Sequence, residues 1–274
     1  RSVNGDRRAA REKARKANAR RSQAIAALST LIVIGGLVTL VLTSSGWPVV
    51  KETFFNVEVF KADFPDILRA FWLDIKMFVV IEVAVLILGL IVAVTRTSKA
   101  PVLFPFRILG ALYCDFFRGI PVIILIYLFG FGIPALDLGL PTDPILLGGI
   151  ALTLAYSAYV AEVYRAGISS VHSGQMDAAL AMGLTRTQSM RHVILPQAIR
   201  RVRPPLLNDF ISLQKDVALV YVLGVTEAFR VAQVFSASTF NYTPLIAVSI
   251  LYLLVTVPLS RFLDNRIAAG EIRS

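Results

Sequence analysis

SGQMDAALAMGLTRTQSMRHVILP, residues 173–196, is the stretch on which the reading of this chain turns. It is too polar to span a membrane and too apolar to be a plain solvated linker. It holds two short helical patterns. Ser173 can serve as an N-cap, and Asp177 falls in the first turn, where the helix dipole favours an anion. Met176, Ala179, Leu180 and Gly183 recur at helical spacing. Gly183 marks the stop, because glycine accepts a left-handed conformation at little cost. Thr185 with Gln188 forms a capping-box pattern opening a second helix, which Pro196 interrupts. The predicted unit is a helix–turn–helix with a small face of Ala178, Ala179 and Gly183, rimmed by Arg186, Arg191 and His192. An ordinary amphipathic loop on a membrane surface fits the same pattern.

The surroundings of this stretch are apolar. Of 274 residues, 56% are hydrophobic and 17% charged, where soluble domains carry about 45–50% and about 25%. Mean hydropathy is positive. This is the composition of a polytopic membrane protein. Cys114 is the only cysteine, so no intrachain disulfide can form. The sequence has no Walker A pattern, no metal-ligand cluster and no catalytic constellation, so energy for active transport must come from a partner or an ion gradient.

Six spans are predicted. Residues 24–42 form an uncharged run long enough to cross the hydrocarbon core; a cleaved signal peptide is the alternative, but the run exceeds the usual apolar region and no A-x-A site follows. Residues 45–68 mix turn formers with Phe54, Phe55, Phe60 and Phe64, which suits either an interfacial segment or a partly buried loop. Residues 71–94 are the second span, with Asp74, Lys76 and Glu82. An amphipathic stretch at 101–117, a break at Gly119 and Pro121, and the apolar run to Phe131 make the third. Asp115 and Arg118, three apart, can pair. In the fourth, 145–163, Ala151, Ala155, Ala158 and Glu162 share one stripe, where small residues let another helix approach. After Arg200, Arg201, Arg203 and the breaker Pro204-Pro205, residues 206–225 carry Asn208, Asp209, Ser212, Lys215 and Asp216. Such a polar stripe must face protein or water rather than lipid. Residues 226–242 form a polar connection with one amphipathic turn, and 244–259 are the last span.

The net charge of +10 is unevenly placed. Residues 1–22 hold nine basic and two acidic residues. A nucleic-acid-binding arm is one reading of such a tail. A cytosolic flank is the other, and it agrees with the rest of the chain: segments inside under a cytosolic start carry 21 basic residues against 4 outside. Residues 173–196 then face the cytosol. No internal repeat is evident, which argues against transporters built from inverted repeats.

Asp177-Ala178-Ala179, three residues, Gly183, nine residues and Val193-Ile194-Leu195-Pro196 resemble the EAA loop of ABC importer permeases, E-A-A-x3-G-x9-I-x-L-P. Asp177 stands for Glu and Val193 for Ile. The run 158–206, FFRGIP at 116–121 and KDVAL at 215–219 are similar to the polar-amino-acid branch, and the resemblance covers about 68–268.

That resemblance implies an all-α integral membrane permease, a five-helix core plus one N-terminal helix, with an EAA-type coupling helix. The implied divisions are a basic cytosolic tail at 1–22, a transmembrane helix at 23–44, an extracytoplasmic interfacial segment at 45–68 and a permease domain at 69–268. It also implies a second permease subunit, the same or a related chain, and two ABC ATPase subunits. These would hold the ATP and Mg, so that this chain needs no cofactor and is not itself an enzyme. An extracytoplasmic amino-acid-binding protein and membrane lipid complete the partners, without nucleic acid. The location would be a prokaryotic plasma membrane, with both termini cytosolic, and glutamate or glutamine the favoured cargo.

Asp177, Ala178, Ala179, Gly183, Arg186, Arg191, Leu195 and Pro196 would couple to the ATPase. Glu162, Lys215, Asp216, Asn208, Asp209 and Arg118 are the candidates for a substrate path, with cations meeting the carboxylate of an amino acid and anions its ammonium. Pairing among these residues to hold helices together is the alternative role. A stand-alone, ion-coupled amino-acid transporter or channel is the alternative function.

Overall fold

The structure, a computed structural model, describes residues 3–98 and 100–272. Arg1, Lys99 and Arg273, counted above among the inner basic residues, lie outside the described residues. All regular elements among the described residues are helical, and the chain divides into two compact units, Arg1–Phe55 and Asn56–Ser274.

The first unit holds α1 (Val3–Leu42) and α2 (Trp47–Phe54). The basic tail and the first span are therefore one continuous helix. Pro48 sits in the first turn of α2, where its missing N–H is not needed. The second unit begins with Asn56, whose side chain caps α3 (Val57–Thr97) by accepting from the N–H groups of Glu58 and Val59. The predicted interfacial segment 45–68 is thus not one element, because its second half already belongs to α3, which carries Pro65 without ending.

A short 3₁₀ turn, Pro101–Leu103, leads into α4 (Phe104–Gly119), then α5 (Val122–Tyr127), a π turn at Leu128–Gly132 and α6 (Ile133–Ala135). The predicted break is present, but the halves Pro101–Gly119 and Val122–Ala135 meet at 104° and do not form one straight span. Ile120 is extended (φ −108°, ψ 132°), as the ring of Pro121 demands. The long helix α7 (Pro144–Ser169) starts at Asp143, whose carboxylate accepts from Leu146 N–H at 2.8 Å.

Then come α8 (Ser173–Ala181), α9 (Arg186–Ser189), a π turn at Met190–Ile194, α10 (Leu195–Asp216), a 3₁₀ stretch at Val217–Leu223, α11 (Ala228–Thr239) and α12 (Thr243–Ile272). Pro204 and Pro205 lie inside α10 and do not break it, contrary to expectation. The predicted polar connection at 226–242 is instead the three-turn helix α11, which buries Ala228, Ala232 and Ser236 along one face. Among the described residues four helices are long and apolar enough to cross a membrane, or six if each of two bent pairs counts as one span.

The core gathers around α7. Ala151, Ala155 and Ala158 of the predicted stripe are fully buried, as is Ala161, while Glu162 at the end of the stripe is half-buried. Neighbouring helices come close where a side chain is missing. A Cβ on Gly89 of α3 would lie 2.7 Å from Val160, and one on Gly167 of α7 would lie 2.1 Å from Val202 of α10. Such small-residue contacts replace the hydrophobic driving force that lipid removes.

The Gly167 contact is testable. Gly167→Ala is expected to lower the unfolding temperature of the purified protein, an overpacking cost of about 1–3 kcal/mol. Adding Val202→Ala is expected to restore part of that loss. Additive losses in a thermal-shift cycle would show that the two helices do not touch there.

Candidate functional site

The loop that decides the reading folds as two capped helical pieces. α8 is capped by His172, whose Nδ1 accepts from Gly174 N–H at 3.1 Å. Ser173, expected as the cap, is instead the first helical residue, and Asp177 lies in the second turn rather than the first. The earlier cap wins because the imidazole of His172 reaches the free N–H that a serine one residue later would leave. Gly183 ends α8 at φ +87°, as predicted. Its N–H donates to Leu180 O at 2.9 Å, and Leu184 N–H donates to Ala179 O at 3.2 Å. These two bonds close a Schellman motif.

The capping box is also present. Gln188 N–H donates to Thr185 Oγ1 at 3.3 Å, and Thr185 N–H donates to Gln188 Oε1 at 2.8 Å. Pro196 does not interrupt the second helix. The chain widens into the π turn ahead of it and continues as α10, with Pro196 in the opening turn.

The loop is anchored on its inner side. Val171, Ile194 and Ala198 pack with Ile168, Met176 and Val193. Gln197 donates to Gln175 at 3.3 Å, and the Arg201 guanidinium donates to Ser170 O. Ala179 is fully buried in this anchor, so it is not part of an outward small face, as was expected. The outward face carries Asp177, Ala178, Gly183, Arg186, Arg191 and Pro196, with Leu180 41%, Met182 74% and Leu195 40% exposed. An exposed apolar tip thus stands beside two exposed arginines.

The proposed path residues separate into two groups. Glu162 accepts from Arg96 of α3 at 2.8 Å and from Arg165 of its own helix. It links the end of α7 to the end of α3 through arginines that were not among the path candidates. Asp216 accepts from Tyr156 OH at 2.7 Å, joining α10 to α7. Asp209 lies within electrostatic reach of Arg118 and of Glu82, and its Oδ2 is buried without a hydrogen-bond partner. Arg118 does not pair with Asp115. Its guanidinium instead lies 5.6 Å from the Tyr159 ring centre. Asn208 and Lys215 are exposed along α10 and Ser212 is half-buried. The structure thus gathers Asp209, Asp216 and Arg118 around Tyr156 and Tyr159, and leaves Glu162 elsewhere.

Two acids of the core hold partners that the sequence did not reveal, Glu227, which escaped the sequence reading, and Asp74, noted there only as an acid of the second span. Glu227 is fully buried and caps α11, accepting from Phe229 N–H at 2.7 Å and Arg230 N–H at 2.5 Å. Asp74 is 2% exposed and accepts from Tyr252 OH at 3.0 Å. Glutamate is not a favoured cap, so residues 226–228 carried no capping signal. Among the described residues no cluster of three or more metal-ligating side chains occurs.

The fold defines a multi-pass, all-helical membrane protein with an exposed two-helix loop at residues 173–196. Residues 85–266 match the binding-protein-dependent transport system inner membrane components, and the chain belongs to that family. It is similar to the "Probable glutamine ABC transporter permease protein GlnM" of Bacillus subtilis, 37% identical over 216 residues, 77% of this chain and 98% of that one. It is also similar to the arginine transport system permease protein ArtQ of the same organism, 34% identical across 72% of this chain and 88% of that one. A crystal structure of an amino acid ABC transporter superposes with a TM-score of 0.68 at 30% identity, over 75% of this chain and 94% of that chain. The inward-facing methionine ABC transporter MetNI shares the fold, with a TM-score of 0.61 at 20% identity over 74% of this chain and 95% of that chain. The unit Arg1–Phe55 lies outside the residues matched by the family.

Glu162→Gln is expected to destabilise the protein by about 1–3 kcal/mol, because it leaves two partly buried guanidiniums without their carboxylate. Thermal unfolding of the purified protein checks this. An unchanged midpoint would show that the tie contributes nothing.

Proposed function

We propose that the chain is one of two transmembrane subunits of an ATP-driven importer for polar amino acids, in a prokaryotic plasma membrane with both termini in the cytosol. Glutamine or glutamate is the favoured cargo. The names carried by its relatives support an amino-acid cargo. Two ATPase subunits that bind ATP and Mg, and an extracytoplasmic binding protein, complete the complex. The second transmembrane subunit is this chain again or a related one.

One observation carries the coupling role. Leu180 and Met182 project from a loop whose inner side is locked to α7 and continuous with α10. Seated in a groove of the ATPase, that tip transmits a displacement to two helices at once, because the loop cannot move independently of them. Arg186 and Arg191 pair with acidic residues on the groove rim, and Asp177, Ala178, Gly183, Leu195 and Pro196 shape the docking face.

The path is assigned to the open side of α10. Asn208 and Lys215 are exposed and Ser212 is half-buried on one polar stripe of α10, so the stripe faces water or the second subunit. Lys215 meets the cargo carboxylate. Asp209 and Asp216, with Arg118 nearby, form the polar wall against its ammonium.

Gly183 separates docking from folding. No atom lies within 4 Å of a Cβ built there, so the burden of a side chain is its positive φ. Gly183→Asn, which tolerates that region, is expected to keep ATPase co-purification and uptake. Gly183→Val is expected to lower both about ten-fold, from a backbone cost of about 1–2 kcal/mol. Equal uptake by both variants would remove the loop from coupling.

Lys215→Ala tests the path. Uptake in reconstituted vesicles is expected to fall about ten-fold, while the yield of intact complex stays the same. If yield and uptake fall together, Lys215 is a structural residue.

A further inference from the structure

We infer that the cleft between the C-terminal ends of α3 and α7 and the 173–196 loop is a binding site for a phosphate group. The cleft measures about 460 Å³ and is lined by Arg96, Arg165 and Arg186, together with Thr97, Ser169 and Met190. Those residues come from three separate parts of the chain. Each is placed by a feature already described: the end of α3, the last turns of α7 and the capping box that starts α9.

The charge of the cleft is unbalanced. Arg96 and Arg165 share the single carboxylate of Glu162. Arg186 forms no ion pair among the described residues. Three guanidiniums against one carboxylate leave a net charge of +2. Arg96, 14% exposed, is held by Glu162 at 2.8 Å, and the unpaired charge sits on the exposed Arg186. An exposed guanidinium with no ion pair among the described residues, beside two that share one carboxylate, suits an anionic ligand, and guanidinium forks match the paired oxygens of a phosphate. The Ser169 hydroxyl adds a neutral donor.

Phosphate fits better than a single carboxylate. The cleft is several times larger than a carboxylate needs, and Met190 gives it an apolar wall suited to an ester substituent. Arg96 stands two residues after the apolar Val92, Ala93 and Val94 near the end of α3, and an arginine flanking an apolar span is suited to meeting lipid headgroups. Leu180 and Met182 do not line the cleft, while Arg186 belongs both to the cleft and to the rim proposed to meet the ATPase. The bound group is a lipid headgroup phosphate or free phosphate, which share this chemistry. The inference does not depend on ATP coupling, since binding is measured without transport.

The test uses the intact complex, purified and delipidated in an uncharged detergent. Short-chain phosphatidylglycerol, diacylglycerol of the same chain length and inorganic phosphate are added separately, and bound species are counted by native mass spectrometry. Wild-type protein is expected to retain phosphatidylglycerol more strongly than diacylglycerol. Arg186→Gln, at an exposed position that the fold tolerates, is expected to weaken retention about ten-fold, and Arg186→Lys to keep part of it. Displacement of the lipid by inorganic phosphate identifies free phosphate as a ligand; retention in its presence identifies the headgroup. Equal retention of every probe by wild type and Arg186→Gln would overturn the assignment. So would loss of ATPase co-purification in Arg186→Gln with unchanged lipid retention, which would place a partner carboxylate in the cleft.

Discussion

The arrangement of the second unit depends on one carboxylate. Glu162 accepts from Arg96 at 2.8 Å and from Arg165, and so fixes the end of α7 against the end of α3. Only residues 170–172 separate α7 from α8, so whatever fixes that end also fixes the loop. The Gly167–Val202 contact and the Arg201 bond to Ser170 O add α10 to the same joint. Three helices therefore meet where the loop leaves the bundle, and the loop is their common extension. A charge pair is a costly way to build such a joint, because both partners lose water. Its geometry is directional, however, and a purely apolar contact between smooth helices would not hold an angle.

Within the bundle, polar groups fall into those the chain satisfies and those it leaves open. Asp216 has Tyr156, Asp74 has Tyr252, and Gln214 accepts from Thr256 at 2.7 Å. Each of these bonds crosses from one helix to another and serves the fold. Asn208 and Lys215 point out of the chain instead. In a membrane an outward polar stripe needs water or protein against it.

Local features of the loop were legible because neighbouring residues decide them. The positive φ of Gly183, the Thr185–Gln188 capping box and the alanine stripe of α7 are set by side-chain type and spacing alone. Features decided by distant partners were not. The inward turn of Ala179 depends on packing against other parts of the chain. The role of Glu162 depends on Arg96, 66 positions away. His172 displaced Ser173 as cap because histidine rarely signals one. The prolines at 196, 204 and 205 were read as breaks, but a π turn and the support of neighbouring helices carry α10 through them. Glu227 gave no signal because glutamate is not a favoured cap, and Asp74, noted as an acid of the second span, gave none of its partner Tyr252, 178 positions away.

The central claim is that the tip at Leu180 and Met182 sits against an ATPase subunit. Cys114 is the only cysteine and is fully buried, so a second cysteine can be read against a quiet background. Met182→Cys in the assembled complex, treated with a short thiol-to-amine crosslinker, is expected to join this chain to the ATPase subunit, with the yield changing when ATP is bound. A reactive Met182→Cys that gives no crosslink to the ATPase in any nucleotide state would contradict the account.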